Sequence, residues 1–357
     1  MSDFIQLHVL TAYPPANLNR DDLGRPKTAI MGGAKRLRVS SQSLKRTWRV
    51  SDVFQQAMDG NSGTRTKRLG GNVLEQLTDA GIADKKARAW AHAIAKVFGE
   101  VPKDSVETRQ LVHVGPEEQQ AVDALVAKLI EEQRAPEDEE LALLREKPRA
   151  VDIALFGRML AASPKYNVDA ACQVAHAITV HRAEVEDDYF TAVDDLNPGD
   201  EDRGAGHIGE LGFGAGLFYL YVCIDRQLLI ENLDGDAELA DRGVAALVDA
   251  ITMTSPKGKQ NSFGSRARAV YALAERGGQQ PRSLSVAFLR PVAGDDHGSE
   301  AIRNLEQQAQ RFDDVYGPGA DGRYALCTLD AGQPQLDGVD AYGSLDGLHG
   351  FVTGSLA

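Results

Sequence analysis

Residues 35–49 have the sequence KRLRVSSQSLKRTWR, and this stretch does most to decide the fold. Ser40 or Ser41 can cap the first turn of a helix, because a serine hydroxyl accepts a hydrogen bond from an unpaired backbone amide. Beyond the cap, apolar side chains recur with nearly helical spacing at Leu44, Trp48, Phe54 and Met58. The stretch therefore predicts a helix that begins at position 40 or 41 and buries one apolar stripe.

The same stretch belongs to a basic N-terminal segment in an acidic chain. Residues 1–50 hold nine Lys or Arg and three Asp, whereas the whole chain of 357 residues has a net charge of −13. Between Arg25 and Arg49 there are eight cations and no acidic residue. A solvated charged face usually mixes both signs, and screening limits the reach of a charge to about 8–10 Å. The local field therefore predicts an anion-binding surface despite the negative total.

Hydrogen-bond donors surround the predicted start of this helix. Lys45 and Arg49 are four residues apart, on a face that the apolar stripe does not occupy, and Gln42 and Arg46 form a second such pair. A helix N-terminus adds unpaired N–H groups and a partial positive charge. Many donors with few acceptors suit a phosphate backbone, which is bound without sequence preference.

Outside this segment, periodicity and turn residues predict an α+β chain. We expect strands at 4–11, 151–155, 217–224 and 283–292, and helices at 169–181 and 237–253. Turn residues dominate 12–39, and seven glycines in 197–216 predict a loop or flexible hairpin. Residues 59–150 have the pattern of a mainly helical insertion. This order predicts a split βαβ (ferredoxin-like) sheet with helices on one face and long insertions.

Motifs for catalysis, cofactors and membrane insertion are missing from the sequence. There is no HExxH or GxSxG, and residues 255–260 contain Gly-Lys without the other P-loop residues. Asp194 and Asp195 could hold a metal, but adjacent acids beside a turn are usually only solvated. Three separated cysteines without a CxxC pair favour a reducing cytoplasm, and no apolar stretch approaches the roughly 20 residues of a membrane span. We therefore expect a cytoplasmic, non-enzymatic protein with no metal, cofactor or membrane partner.

Short blocks spread over most of the chain carry a family resemblance. They are RDD at 20–22, GG at 32–33, RVSSQSLKR at 38–46, VDIALFGRM at 151–159, AHAIT at 175–179, FTAVDDL at 190–196, GLFY at 216–219 and KQ at 259–260. In this order, they resemble the CasC family, the Cas-seven-type backbone subunit of the type I-E CRISPR Cascade complex. The block at 38–46 is the most specific of them.

The resemblance implies an α+β fold shaped like a right hand. It has a modified RRM/ferredoxin-like palm, a helical fingers insertion and a thumb hairpin. The palm comprises residues 1–58, 181–193 and 217–357, the fingers comprise 59–180, and the thumb comprises 194–216. The implied partners are guide RNA (crRNA), the target DNA strand paired to it, neighbouring copies of the chain and the other Cascade subunits. Copies would stack helically along the guide, and each thumb would displace one base at regular intervals.

The resemblance and the basic segment together nominate sixteen RNA-binding residues. They are Arg20, Lys27, Lys35, Arg36, Arg38, Ser40, Gln42, Ser43, Lys45, Arg46, Arg49, Met159, His207, Phe213, Lys259 and Gln260. In the family pattern, Met159 would wedge against the displaced base, and the alternative for this residue is a buried core methionine. Phe213 would assist from the thumb, or would pack in the core.

Two other functions remain open from the sequence. Related backbone subunits in other CRISPR types cut RNA with a loop aspartate, and Asp21 or Asp22 lies beside Arg20 in a comparable loop. A small-molecule α/β enzyme is the third possibility, although the cofactor motifs that it would need are missing. A metal-dependent cleavage assay and the co-purification of a small RNA distinguish these hypotheses.

Overall fold

The chain begins with a long strand, β1 (Phe4–Ala16), in which apolar Ile5, Leu7 and Val9 are buried. The computed structural model describes residues 3–192 and 207–354. It is a mixed α/β fold that divides into two compact units. The first unit comprises Met1–Phe54, Val174–Cys223 and Leu247–Ala357, and the second comprises Gln55–Gln173 and Ile224–Ala246.

A large sheet organises the first unit, and its strands come from distant parts of the sequence. The remaining strands of this sheet are β2 (Thr28–Met31), β3 (Ala34–Val39), β6 (Cys172–Val174), β7 (Ala177–Thr179), β8 (Glu186–Ala192), β9 (His207–Asp225), β10 (Ala269–Gly277) and β11 (Gly322–Cys327). The main strand order is β11-β10-β1-β9-β7-β3-β2, and β6 and β8 also pair with β9. β10 is antiparallel to both β1 and β11, and β7 is antiparallel to both β3 and β9.

Helices of the first unit cover part of this sheet. They are α1 (Ser41–Arg49), α9 (Gln260–Phe263), α10 (His297–Tyr316) and α11 (Leu345–Thr353), and α2 (Asp52–Ala57) and α8 (Ala237–Met253) cross the unit boundary. One core cluster joins Tyr219 and Tyr271 of the sheet to Phe288 and to Leu305 of α10. The antiparallel sheet and its helices confirm the α+β class, and α8 has the bounds that its amphipathic pattern predicts.

The second unit is mainly helical, as the sequence predicts for residues 59–150. Its elements are β4 (Thr64–Thr66), α3 (Leu69–Asp79), α4 (Asp84–Phe98), β5 (Val112–Val114), α5 (Pro116–Glu132), α6 (Val151–Phe156) and α7 (Arg226–Asn232). Its core includes Leu77 of α3, Trp90 and Phe98 of α4, and Leu129 of α5. Among the described helices of the chain, none combines the length and apolar character needed to cross a bilayer.

Three predicted elements have the wrong type. Residues 151–155 form the helix α6 and not a strand, because buried Asp152 accepts hydrogen bonds from the amides of Gly63 and Ile153 at the start of the segment. Residues 169–181 contain the short strands β6 and β7 instead of a helix, since β7 fills the gap between β3 and β9. The apolar run at 283–292 holds a 3-10 turn at Ser285–Phe288 and no strand.

The glycine-rich segment is also more regular than its composition predicts. Residues 197–206 lie outside the described part of the chain, together with Asp194 and Asp195, but 207–216 belong to β9. A β-carbon at Gly214 would lie 2.8 Å from a methyl carbon of Leu37, and one at Gly209 would collide with the ring of Phe190. These glycines therefore permit close contact between neighbouring elements. In the sequence alone, glycines with this role cannot be distinguished from turn glycines.

We expect residues 210–213 to be protected from amide exchange in the isolated chain. These residues pair with β8 in the register Glu186↔Phe213. In addition, the buried side-chain amide of Asn17 donates to the carbonyl of Gly212 at 2.8 Å. Hydrogen-exchange mass spectrometry should show slower exchange here than in residues 101–105, which are not in regular structure. Equal rates in the two segments would contradict a fixed β8–β9 pairing.

Candidate nucleic-acid interface

The helix α1 begins as the sequence predicts. Ser40 is its N-cap, and the Ser40 hydroxyl accepts a hydrogen bond from the amide of Ser43 at 3.3 Å. Leu44 and Trp48 are buried, so the apolar stripe faces the core of the first unit. The first turn contains no acidic residue, and the N-terminal partial charge of the helix is therefore not neutralised from within α1.

Two asparagines fix the loop that carries Arg20. The side-chain oxygen of Asn19 accepts from the amide of Ser40 at 2.9 Å, and the Asn19 carbonyl accepts from the amide of Lys27 at 2.8 Å. The side-chain amide of Asn17 donates to the backbone carbonyl of Gly24 at 2.9 Å. These bonds hold residues 17–27 against the start of α1, a role that the sequence analysis missed because nothing in an Asn-Leu-Asn triplet marks it.

A cavity of about 630 Å³ lies between this loop, α1 and a third segment around Lys257. It brings together three cations, Arg20, Arg46 and Lys257, and the hydroxyls of Ser43 and Thr47. None of the three cations makes an ion pair within residues 3–192 and 207–354. The residues that line the cavity therefore include guanidinium, ammonium and hydroxyl groups, which are donors that can bind an anionic oxygen.

Lys257 reaches this cavity because Gly258 follows it. A β-carbon at Gly258 would lie 2.5 Å from the carbonyl oxygen of Leu18 and 2.9 Å from that of Asn17. Only glycine therefore allows the two loops to approach so closely. The Gly-Lys pair at 258–259, which fails as a P-loop, has this packing role instead.

Two carboxylates also line the cavity, those of Asp21 and Asp22. An oxygen of Asp21 accepts from the amides of Leu23 and Arg25, at 3.0 and 2.9 Å, so this carboxylate closes its own loop. Among the described residues there is no group of three or more His, Cys, Asp or Glu that could hold a metal ion.

Residues of α1 divide between two faces. Ser43, Arg46, Thr47 and Val50 follow helical spacing and line the cavity. Lys45 and Arg49 are half-buried and lie outside the cavity lining, and Gln42 is exposed. The structure therefore brings Arg20, Ser43 and Arg46 together and places Lys45 and Arg49 on the adjacent face.

Of the remaining basic residues of the segment, Arg25 and Lys27 precede β2, and Lys35, Arg36 and Arg38 lie in β3. Lys35 is exposed, Lys27 is half-buried, and Arg38 donates to Nδ1 of His176 at 2.6 Å. A guanidinium can only donate, so His176 accepts in its neutral form. Burial lowers the pKa of His176, and the charges of Arg38 and Lys27 lower it further.

Arg36 lies inside the protein and not on the predicted surface. It is fully buried, and its two terminal nitrogens donate to the carbonyl oxygens of Thr179 and Phe288 at 2.8 and 2.7 Å. Its guanidinium thus ties β3 to β7 and to the 3-10 turn at 285–288. We therefore remove Arg36 from the set of residues that can contact a ligand.

The predicted residues outside the basic segment have different surroundings. Phe213 is half-buried, with its ring centroid 6.0 Å from that of Phe263 in α9. Lys259 is exposed, and the side chain of Gln260 accepts from the hydroxyl of Ser265 at 3.2 Å. The backbone of His207 begins β9, and its side chain lies outside the described part of the structure.

Met159 belongs to the second unit and is 85% exposed, so the alternative of a buried core methionine is wrong. Its neighbours are fixed. Arg158 forms an isolated bridge with Val168, and the amide of Leu160 donates to the side chain of Asn167 at 2.6 Å. The apolar side chain of Met159 is thus exposed to solvent, and the backbone on both sides of it is fixed.

Known proteins resemble this chain over nearly its full length. The sequence profile of the CT1975-like protein family matches residues 5–349. No curated protein matches the chain. A chain in a solved structure titled "CRISPR RNA-guided surveillance complex, pre-nicking" is similar, with 30% sequence identity and a TM-score of 0.83, and the match covers 98% of this chain and 99% of that one. A chain of another "CRISPR RNA-guided surveillance complex" is 28% identical, with a TM-score of 0.64 and the same coverage.

Proposed function

This chain belongs to the CT1975-like protein family, and on that basis we propose that it is a guide-RNA-binding backbone subunit of a Cascade-type CRISPR surveillance complex. The cavity lined by Arg20, Arg46 and Lys257 carries the proposal, because these three cations come from separate segments and outnumber the two carboxylates of the lining. The similarity to chains of RNA-guided surveillance complexes over 98% of this chain supports the same assignment.

In the proposed mechanism, the protein holds the phosphate backbone and leaves the bases free to pair. Phosphate contacts fix position without selecting sequence, so base pairing between guide and target DNA supplies the specificity. The cavity would bind one backbone segment per subunit, and Met159, Phe213 and the thumb would act on the displaced base. The type I-E assignment, the palm, fingers and thumb divisions, and the R-loop with target DNA are parts of this proposal.

The proposal requires several copies of the chain on one guide. A subunit that follows a repeating backbone covers RNA of any sequence, and the bound length grows in equal steps as copies are added. Native mass spectrometry of complexes formed on guides of increasing length should therefore show stepwise additions of one subunit. A fixed stoichiometry on every guide length would contradict the repeating-subunit arrangement.

We also propose that the subunit does not cut RNA. Asp21 and Asp22 are the carboxylates of the cavity, and the first of them accepts hydrogen bonds from its own loop. The same mass spectrometry provides the check, with Mg²⁺ and a complementary RNA strand added to the assembled complex. The masses of both RNA strands should stay unchanged. RNA fragments that form with the unmodified chain and do not form with an Asp22→Asn variant would favour the nuclease.

A further inference from the structure

The strand β2 lies at one end of the large sheet. Among the residues that the structure describes, only β3 pairs with it. The strand at the opposite end, β11, has cover on its outer side, because Leu326 forms a bridge with Gly343 and the amide of Gly343 donates to the carbonyl of Ala325 at 2.8 Å. The edge of β2 that faces away from β3 has no such cover in the described part of the chain.

The hairpin of β2 and β3 holds this edge in a fixed position. Its two-residue turn, Gly32-Gly33, has φ angles of 58° and 71°, as a tight hairpin turn requires. A β-carbon at Gly32 would collide with the carbonyl oxygen of Leu289, so the turn packs directly on the segment that follows the 3-10 turn at 285–288. The position of β2 is therefore fixed both by its ladder to β3 and by the contact with Leu289.

The register of the hairpin determines which backbone groups lie at the open edge. In a hairpin with a two-residue turn, the pair next to the turn, here Met31 and Ala34, is hydrogen-bonded, and bonded pairs alternate along the strand. Thr28 and Ile30 therefore direct their N–H and C=O groups away from β3. Within residues 3–192 and 207–354, these groups have no hydrogen-bond partner.

Apolar side chains accompany these backbone groups. Ile30 is 74% exposed, Leu289 is 48% exposed and Val286 is 37% exposed. Val286 and Leu289 also line a groove of about 520 Å³ between residues 286–293 and α10. Soluble proteins usually protect an open sheet edge with a charged residue or a proline, whereas this edge presents an isoleucine. Unpaired strand groups beside exposed apolar side chains are typical of an edge to which another strand is added.

The charges around the edge favour an acidic partner. Lys35 is exposed directly across the hairpin from Ile30, and Arg290 is exposed next to Leu289. Neither cation makes an ion pair among the residues that the structure describes. The adjacent groove contains a further cation, Arg311, and one carboxylate, that of Glu300. Cations therefore outnumber acids in this lining, and carboxylates of a partner would complement them.

A polypeptide strand fits this edge better than RNA does. The outward carbonyls of Thr28 and Ile30 require hydrogen-bond donors, whereas the phosphate oxygens of a nucleic-acid backbone only accept. An extended peptide supplies N–H and C=O groups at the spacing of a strand, and its side chains can cover Ile30.

We propose that β2 is a docking site for an extended acidic segment of a partner protein, which adds to the sheet as a further strand. Apolar side chains of the segment contact Ile30 and Leu289, and its carboxylates lie beside Lys35 and Arg290. None of these residues lines the cavity described above, so the docking site goes beyond the proposed function and does not require RNA.

The test measures the binding of a short fluorescein-labelled peptide of alternating glutamate and valine to the full chain, by fluorescence anisotropy. Ile30→Pro removes the outward N–H and keeps the ladder to β3, because a strand tolerates proline where its N–H does not face a paired neighbour. This variant should bind the peptide about tenfold more weakly. The matched control is Ile30→Val, which keeps both the N–H and an apolar side chain and should bind as the unmodified chain does. The same peptide with every backbone amide N-methylated should not bind, since it has no donors.

A second variant keeps every backbone group of the edge. Ile30→Asp replaces an exposed side chain, so it leaves the core unchanged while it removes the apolar contact and repels an acidic peptide. It should also bind the peptide at least about tenfold more weakly than Ile30→Val.

The outcomes distinguish this inference from the proposed function. If the peptide does not bind, or if Ile30→Pro and Ile30→Asp bind it as Ile30→Val does, the docking site is wrong, and the proposed function stands. If sedimentation velocity shows dimers of the unmodified chain that Ile30→Pro abolishes, the occupant is a second copy, and the acidic partner is wrong. If Ile30→Pro makes the slope of log affinity against log salt shallower for single-stranded RNA, the edge belongs to the RNA site, and the inference is overturned. If the chain binds the peptide as expected and binds no RNA, the docking site stands and the proposed function fails.

Discussion

Replacement of Glu118 with alanine is expected to lower the free energy of unfolding of the second unit by about 3–5 kcal/mol, the cost of leaving a buried charge without its partner. Glu118 and Arg158 form an ion pair at 2.7 Å, with side-chain exposures of 0% and 1%. One Arg158 nitrogen donates to both carboxylate oxygens, at 2.9 and 2.7 Å. The alanine variant leaves a guanidinium that cannot lose its proton in a site without water access.

Further bonds of Glu118 increase this cost. Its oxygens accept from the amide of Gly115, at the start of α5, and from the amide of Arg145, both at 2.9 Å. Arg158 in turn donates to the carbonyls of Arg145 and Tyr166, at 2.8 and 3.2 Å. The ion pair therefore connects the start of α5 to two loops. The Glu118→Ala substitution leaves backbone groups at these places without their hydrogen-bond partner.

The two tryptophans of the chain make this measurement selective. Trp90 is buried in the core of the second unit, and Trp48 belongs to the first, so a Trp48→Phe background reports the second unit through Trp90 emission. Urea unfolding, followed by this emission, gives the difference in free energy of unfolding between the Glu118→Ala variant and its control. The control is Glu117→Ala, the adjacent and partly exposed carboxylate in the same helical turn. A difference below 1 kcal/mol between the two variants would contradict the role of the pair.

The double variant Arg20→Ala with Arg46→Ala should bind single-stranded RNA about 25-fold more weakly at 0.1 M salt. Removal of two phosphate contacts makes the slope of log affinity against log salt shallower by about 1.4, which amounts to a factor of about 25 at 0.1 M relative to 1 M salt. Both side chains are exposed cations that line the same cavity, so the change removes charge without removing core packing. Fluorescence anisotropy across a salt series measures both quantities.

Two comparison variants strengthen this experiment. Arg20→Lys with Arg46→Lys keeps the charge and should keep the slope, because counterion release depends on charge. Lys45→Ala with Arg49→Ala tests the adjacent face of α1, where we also expect RNA contacts. If the Arg20 and Arg46 pair leaves the slope unchanged while the Lys45 and Arg49 pair reduces it, the strand follows that face and does not enter the cavity.

Local signals account for the parts of the fold that the sequence predicts correctly. The Ser40 cap and the helix Ala237–Met253 depend on residues within a few turns of each other, and both are confirmed. Residues 151–155 alternate as a strand would, but their helix is stabilised through the contact of Asp152 with Gly63, 89 residues away. Such a partner leaves no trace in the local pattern.

The same distinction holds within the candidate site. Arg36 resembles its basic neighbours in sequence, and its burial depends on the carbonyls of Thr179 and Phe288, which are 143 and 252 residues away. Lys257 joins the cavity only because Gly258 packs on Leu18. Charge runs therefore predict which segments are cationic, whereas tertiary contacts determine which of their side chains reach the ligand.

The position of β1 in the sheet constrains the order of events during protein synthesis. β1 lies between β9 and β10, and Phe4 pairs with Gly277 at the far end of the register. At about 5–20 residues per second, roughly 13–50 s pass between completion of β1 and the start of β10 at the ribosome. Throughout that interval, the edge of β1 that pairs with β10 has no partner. The N-terminal arginines are also translated long before Lys257, so the cationic cavity cannot be complete until that residue has left the ribosome.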